Sequence, residues 1–175
     1  IFEKNDYIGG HSNTVQIKGH PPIDTGFIVF NELTYPNLIA LFDKLGVRVT
    51  RSDMSYGISL ANGQKEYSSN NVFGNISKLF KPWYCRMLID LVRFYKTAPK
   101  FLNNPDPSLT LGDYLKQKKY SQSFIDNHIF PMGAAIWSMS TQEMQGFPAL
   151  TFIRFFVNHG LFSLIKRPQW FTVYN

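Results

Sequence analysis

Two short segments near the start of the chain carry residue types whose spacing could do chemistry. The first runs Glu3-Lys4-Asn5-Asp6-Tyr7-Ile8-Gly9-Gly10-His11-Ser12-Asn13-Thr14. An acid at the end of a buried strand can accept hydrogen bonds from the ribose hydroxyls of a dinucleotide. A Gly-Gly pair a few residues later lets the backbone approach a bulky anionic or planar group with no Cβ in the way. Spacing alone leaves a bland alternative open, a surface acid ahead of an ordinary glycine turn. The second segment, Ile23-Asp24-Thr25-Gly26-Phe27-Ile28-Val29-Phe30-Asn31, sets an acid and a glycine inside an apolar, β-rich run. A glycine within a strand marks a place where something comes close to the backbone.

The elements that must position these residues follow from pattern and punctuation. Residues 1–3 read as the end of a buried strand and 5–13 as a glycine-containing loop. Residues 15–17 alternate like a short strand, and 23–30 form a second extended run. Residues 35–45 read as an amphipathic helix with Leu38, Leu41, Phe42 and Leu45 on one face, Pro36 in its first turn and Gly46 at its stop. A strand resumes at 47–49. Residues 55–60 and 64–67 flank Asn62-Gly63, which favours positive φ at both central turn positions and predicts a β-hairpin. Beyond residue 72 the pattern is helical. Residues 83–97 place Tyr84, Met87, Leu88, Leu91 and Tyr95 on one face and Arg86, Asp90 and Arg93 on the other. Thr110-Leu111-Gly112-Asp113 and Ser140-Thr141-Gln142-Glu143 resemble capping boxes. Residues 148–158 read as a helix closed by Gly160.

Composition narrows the classes. The 175 residues are 44% hydrophobic and 17% charged, which excludes a disordered chain. The single Cys85 excludes a disulfide framework and a cysteine-based zinc site. His11, His20, His128 and His159 show no ligand spacing, so no metal site is expected. No apolar run approaches the roughly 20 residues of a spanning helix. Aromatics reach 16%, enough to cover a large core, a flat cofactor or a lipid. The net charge of +6 sits in residues 78–119, which hold 9 basic and 3 acidic groups. Within it, residues 83–97 with Lys78, Lys81, Arg86, Arg93, Lys96 and Lys100 read first as a solvated helix face around a core stripe. Contact with a membrane surface is the sharper alternative. No recognised motif accompanies the charge, so nucleic acid is not an expected partner.

Together the blocks carry a resemblance over essentially the whole chain. Glu3 with Gly9-Gly10, followed by Asp24-Thr25-Gly26, resembles the flavin-containing amine oxidase and phytoene desaturase superfamily. Gly9-Gly10-His11-Ser12-Asn13-Thr14-Val15, residues 24–31, Thr34-Tyr35-Pro36-Asn37-Leu38 and Ser52-Asp53-Met54-Ser55-Tyr56 most resemble its bacterial NAD/FAD-binding, amine-oxidase-like subgroup. Residues 133–138, 158–161 and 167–170 match that subgroup as well.

The resemblance implies an FAD cofactor. Glu3 would bind the adenosine ribose, and Gly9, Gly10, His11 and Ser12 would pass beside the cofactor. Thr25, Gly26, Phe27 and Ile28 would approach the isoalloxazine ring, with Phe27 and Ile28 keeping water off it. Many relatives carry an Arg after the glycine pair. This chain has His11 there, whose charge is conditional. The implied fold is α/β, or α+β overall. Residues 1–54 would be a partial FAD/NAD(P)-binding Rossmann-like domain. Residues 55–175 would be a mostly helical substrate domain with a β-hairpin.

The implied reaction is hydride transfer from a C–N or C–C bond of a small-molecule or lipid-like substrate to flavin. No residue is assigned as catalytic acid or base. A cytoplasmic protein, peripheral to the inner membrane face if residues 78–100 meet lipid, is the matching location. A non-catalytic flavoprotein relative or lipid-surface interaction module is the alternative. The chain reads as an internal segment, with the family's Gly-x-Gly-x-x-Gly turn expected before Ile1 and its last cofactor segment after Asn175. Alone it is expected to hold FAD weakly and to be inactive.

Overall fold

Proline and glycine punctuation sets the clearest helix. Pro36 occupies its first turn, where a missing N–H costs nothing, and Gly46 ends it in the left-handed conformation at φ 66°. The computed structural model describes residues 2–10, 12–26, 28–69, 76–163 and 168–174. The chain divides into two compact units, Ile1–Met54 with Pro168–Asn175, and Ser55–Arg167.

Among its described residues the first unit contains two small sheets and one helix. Strands β1 (Thr14–Val15) and β2 (Ile23–Asp24) pair antiparallel, Thr14 opposite Asp24 and Val15 opposite Ile23. Strands β3 (Phe30–Asn31) and β4 (Val49–Ser52) lie on either side of β7 (Trp170–Val173), both antiparallel to it. Helix α1 spans Pro36–Leu45. Its inward face differs from the expected one. Leu38, Ile39 and Phe42 are half-buried, while Leu41 and Leu45 are exposed. Phe42 meets Phe30 edge-on at 5.2 Å, and Phe30 packs beside Phe171 at 6.1 Å. These contacts turn the helix toward its i, i+1, i+4 positions rather than the 38/41/42/45 stripe.

One sequence expectation changes here. Phe2 and Glu3 are exposed and form no strand. A buried parallel strand needs neighbours on both edges, and among the described residues none lies beside them. The described strands pair only antiparallel, so the Rossmann-like expectation finds no parallel ladder among them.

The second unit is mostly helical. It opens with the hairpin of β5 (Gly57–Leu60) and β6 (Lys65–Ser68), whose turn holds Asn62 at φ 53° and Gly63 at φ 84°. Helices follow at α2 (Ile76–Leu79), α3 (Pro82–Thr97), α4 (Leu111–Gln117), α5 (Gln122–Phe124), α6 (Phe130–Trp137) and α7 (Ala149–Asn158). Both capping boxes form. Thr110 Oγ1 accepts from Asp113 N at 3.1 Å and opens α4, while Ser140 Oγ accepts from Glu143 N at 3.2 Å. Gly112, in the first turn of α4, gives the 3₁₀ turn Glu143–Gly146 its place. A Cβ there would lie 2.9 Å from Gln145 O.

The core of this unit gathers Tyr84, Met87, Phe94, Tyr114, Phe124, Phe152 and Phe156, all buried. Phe94 is its hub, within 6.4 Å ring-to-ring of Tyr114, Tyr120, Phe124, Phe152 and Phe162. On α3 the expected stripe is corrected at two positions. Phe94 belongs to the buried face, and Asp90, expected in solvent, is buried. Its carboxylate accepts from Ser121 N at 2.8 Å and lies 3.1 Å from Arg93 Nη2. Two hydrogen-bonding partners on one side of the helix draw the acid inward.

The run 122–137, which the pattern left without an element, is helical throughout. Its middle, Ile125–Ile129, widens to π geometry just ahead of Pro131. Proline has no N–H to give the carbonyl four residues back, and the widened turn accommodates its ring.

Candidate functional site

In the first unit the β1–β2 ladder brings the two chemistry-bearing segments together. Thr25 N donates to Asn13 O at 2.8 Å, Thr25 Oγ1 donates to the same carbonyl at 3.1 Å, and Asn13 Nδ2 donates to Thr25 Oγ1 at 3.0 Å. Thr14 Oγ1 donates to Asp24 Oδ1 at 2.7 Å. Continued outward by two pairs, the register sets Ser12 opposite Gly26. The glycine loop and the Thr25-Gly26 segment therefore share one end of a small sheet.

The loop itself is a tight turn, Ser12 N donating to Gly9 O at 2.9 Å. Gly9 (φ 123°) cannot carry a side chain, because a Cβ would meet Ser12 O at 2.6 Å. Gly10 (φ 59°) faces open space, with nothing within 4 Å of where its Cβ would stand. Ser12, Thr25 and Gly26 are exposed, and so are Ile8 and Ile28. Ile28 O accepts from Thr172 Oγ1 at 2.8 Å, which ties this segment to β7. Glu3 is the expected site residue the ladder does not gather. It lies exposed before the loop, its Oε1 accepting from Asn5 N at 2.9 Å. His11 and Phe27 lie outside the described residues.

This edge offers chemistry that a flat cofactor could meet. Open backbone at Gly10, hydroxyls at Ser12 and Thr25, and uncovered apolar side chains at Ile8 and Ile28 suit a group that is polar at one end and planar at the other. Further along, Asn31 is fully buried. Its Oδ1 accepts from Leu33 N, Thr34 N and Thr34 Oγ1, while its Nδ2 is a buried donor with no acceptor. Asn13 and Asn31 escaped the sequence reading. The signal for both was an Asx residue beside a turn, a pattern that only a known register turns into a contact.

The second unit holds a buried polar cluster of its own. Pro131 leaves the carbonyl of Asn127 without a helical donor, and Tyr67 Oη fills the place at 3.0 Å. Tyr67 Oη also lies 2.6 Å from His128 Nδ1, and His128 Nε2 is buried with no hydrogen-bond partner. Tyr56 meets the His128 ring edge-on at 6.1 Å, and burial pushes its hydroxyl up to about 12. Burial likewise raises Tyr67 well above the ordinary phenol range.

His128 is pushed down from the ordinary 6.5 to about 4 by burial. The unfolded chain therefore takes up the proton first as pH falls. Stability is full above the unfolded value and drains as pH drops toward the folded one. The expected loss is about 2 kcal/mol between about pH 7 and pH 5. Denaturant unfolding across that window checks it, and His128→Gln should flatten the slope. An unchanged slope in the variant would assign the acid loss to other groups.

Among the described residues no group of three or more His, Cys, Asp or Glu side chains could hold a metal ion. Nor is any of their helices long and apolar enough to cross a membrane. The family model of flavin containing amine oxidoreductases matches residues 1–168. No curated protein matches the chain.

Proposed function

Since the chain belongs to the flavin containing amine oxidoreductase family, we propose that its first unit supplies part of an FAD site in an oxidoreductase. The observation that carries this reading is the β1–β2 ladder, which sets the Gly9–Ser12 turn beside Thr25 and Gly26. When bound, FAD would accept a hydride from a C–N or C–C bond of the substrate. The chain's own residues bind and orient. Gly10 and Gly26 keep the approach clear of side chains, Ser12 and Thr25 offer hydroxyls, and Ile8 and Ile28 exclude water from the apolar face. Glu3 would serve as the ribose acceptor only once its carboxylate turns from Asn5 N toward a sugar hydroxyl.

A lipid-like substrate is the accompanying proposal. Its support is the exposed Phe80 and Ile89 beside the basic face of α3, a combination suited to an interfacial contact.

The test uses protein purified from its entire reading frame. It should carry a flavin absorption spectrum, and Gly26→Val should strip the flavin by at least about tenfold in affinity, as a Cβ branch fills the space of close approach. Colourless protein that takes up no added FAD would defeat the reading.

A further inference from the structure

We propose that the second unit binds a small phosphomonoester with a flat apolar body, in a cavity between the end of α3 and α4. The cavity has a volume of about 430 Å³ and is lined by Arg93, Thr97, Lys100, Phe101, Asn104, Tyr114, Lys118 and Tyr120. That size suits a small organic ligand rather than a lone ion. Three of the eight lining residues are cations and none is an acid.

The cations have different duties. Arg93 is already committed. Its Nη2 bonds Asp90 Oδ1 at 3.1 Å and Lys119 O at 3.0 Å, and its guanidinium lies 4.0 Å over the Tyr120 ring. Its Nε is buried with no acceptor. Arg93 thus builds the wall and contributes positive potential. Lys100 and Lys118 are exposed, and among the described residues neither forms an ion pair. Two compact ammonium groups and the amide of Asn104 are left as donors to whatever enters. Unlike charges would normally be interspersed on such a surface, and like charges gathered round one hollow raise the local concentration of anions.

The other wall selects the body of the ligand. Phe101 packs against Tyr114 at 5.2 Å, and Tyr114 lies nearly parallel to Tyr120 at 6.5 Å. Thr97 Oγ1 donates to Arg93 O at 2.8 Å and lies 3.0 Å from Tyr120 Oη, so these hydroxyls brace each other. The ammonium groups match a dianion better than a single carboxylate, and Phe101, half-buried and backed by the buried Tyr114 and Tyr120, offers the ligand's body an apolar contact. This proposal is independent of the flavin reading, because none of its residues belongs to the first unit.

Calorimetric titration of the 175-residue chain with phenyl phosphate, inorganic phosphate and benzoate tests it. Phenyl phosphate should bind saturably and more tightly than the other two. Lys100→Ala and Lys118→Ala should each weaken it by about fivefold or more, with Lys81→Ala, outside the cavity, leaving it unchanged. Both lysines are exposed, so the variants should keep the parent circular dichroism spectrum. Four results would overturn the proposal: no saturable binding, benzoate binding as tightly, inorganic phosphate binding as tightly, or an equal loss in Lys81→Ala.

Discussion

Truncating Phe94 to alanine should cost about 4 kcal/mol of folding stability, the largest loss expected from a single side chain of the second unit. The residue is fully buried and its ring, on α3, meets rings from α4, α5 and α7. Removing it leaves a void walled by Tyr114, Tyr120, Phe124 and Phe152. Those rings are fixed by other contacts, Phe152 stacking on Phe156 at 4.5 Å and Tyr120 held through its hydroxyl by Thr97. Stiff walls cannot collapse into the gap, so the cavity penalty adds to the lost transfer energy. Denaturant unfolding measures the effect, with an unchanged slope showing that the two end states are intact. A loss below about 2 kcal/mol would mean that the cluster relaxes and that Phe94 is not its hub.

Asp90→Ala should cost about 3 kcal/mol. The carboxylate is 1% exposed and sits between two cations on its own helix, Arg93 at 3.1 Å and Arg86 at 3.8 Å. It also receives the backbone N–H of Ser121, the residue that caps α5. Alanine would strand that N–H and leave the buried Arg93 Nε beside no compensating charge. Arg93 keeps 38% of its side chain in solvent, which holds the cost to the low end for a broken buried pair. Asp90→Asn retains an acceptor for Ser121 and should recover part of the loss. Thermal and denaturant unfolding of both variants gives the comparison. Equal stability of the alanine variant and the parent would show the acid to be as dispensable as a surface charge.

Asp90 also shows where sequence reading stops. Helical periodicity located α3 to within a residue, and a charge between Arg86 and Arg93 reads as solvent-facing by any periodic rule. The inward position depends on Ser121, distant in sequence, as well as on Arg93. The same holds for the run 122–137. Pro131 and Gly133 are breakers locally, yet a widened turn accommodates the proline, and Met144 and Phe152 pack where a side chain on Gly133 would stand. Where structure was decided by neighbours along the chain, the reading succeeded. Pro36 and Gly46 bounded α1, Asn62-Gly63 turned the hairpin, Thr110 capped α4, and Ser140 closed its reciprocal pair with Glu143.

The candidate site divides along the same line. Glycines at 9 and 10 announce backbone freedom, and the positive φ values they adopt are ones a residue without Cβ takes at little cost. The Asn13–Thr25 bonds and the orphaned amide of Asn31 depend on register and burial, which no local pattern encodes. Glu3 carried the strongest chemical expectation and has the least structural support, because an acid's role is set by the strand it terminates.

Strand β7 has a bearing on how the chain assembles. Ser52 pairs with Trp170, so the polypeptide departs from one edge of that ladder and comes back to it only after the whole of the other unit has been made. A ladder closed across so long an excursion is entropically slow to find, and an excursion already collapsed shortens the search. The interrupted unit should therefore be the last to acquire protection from hydrogen exchange, with the amides of β3 and β4 lagging behind those of α3 and α7.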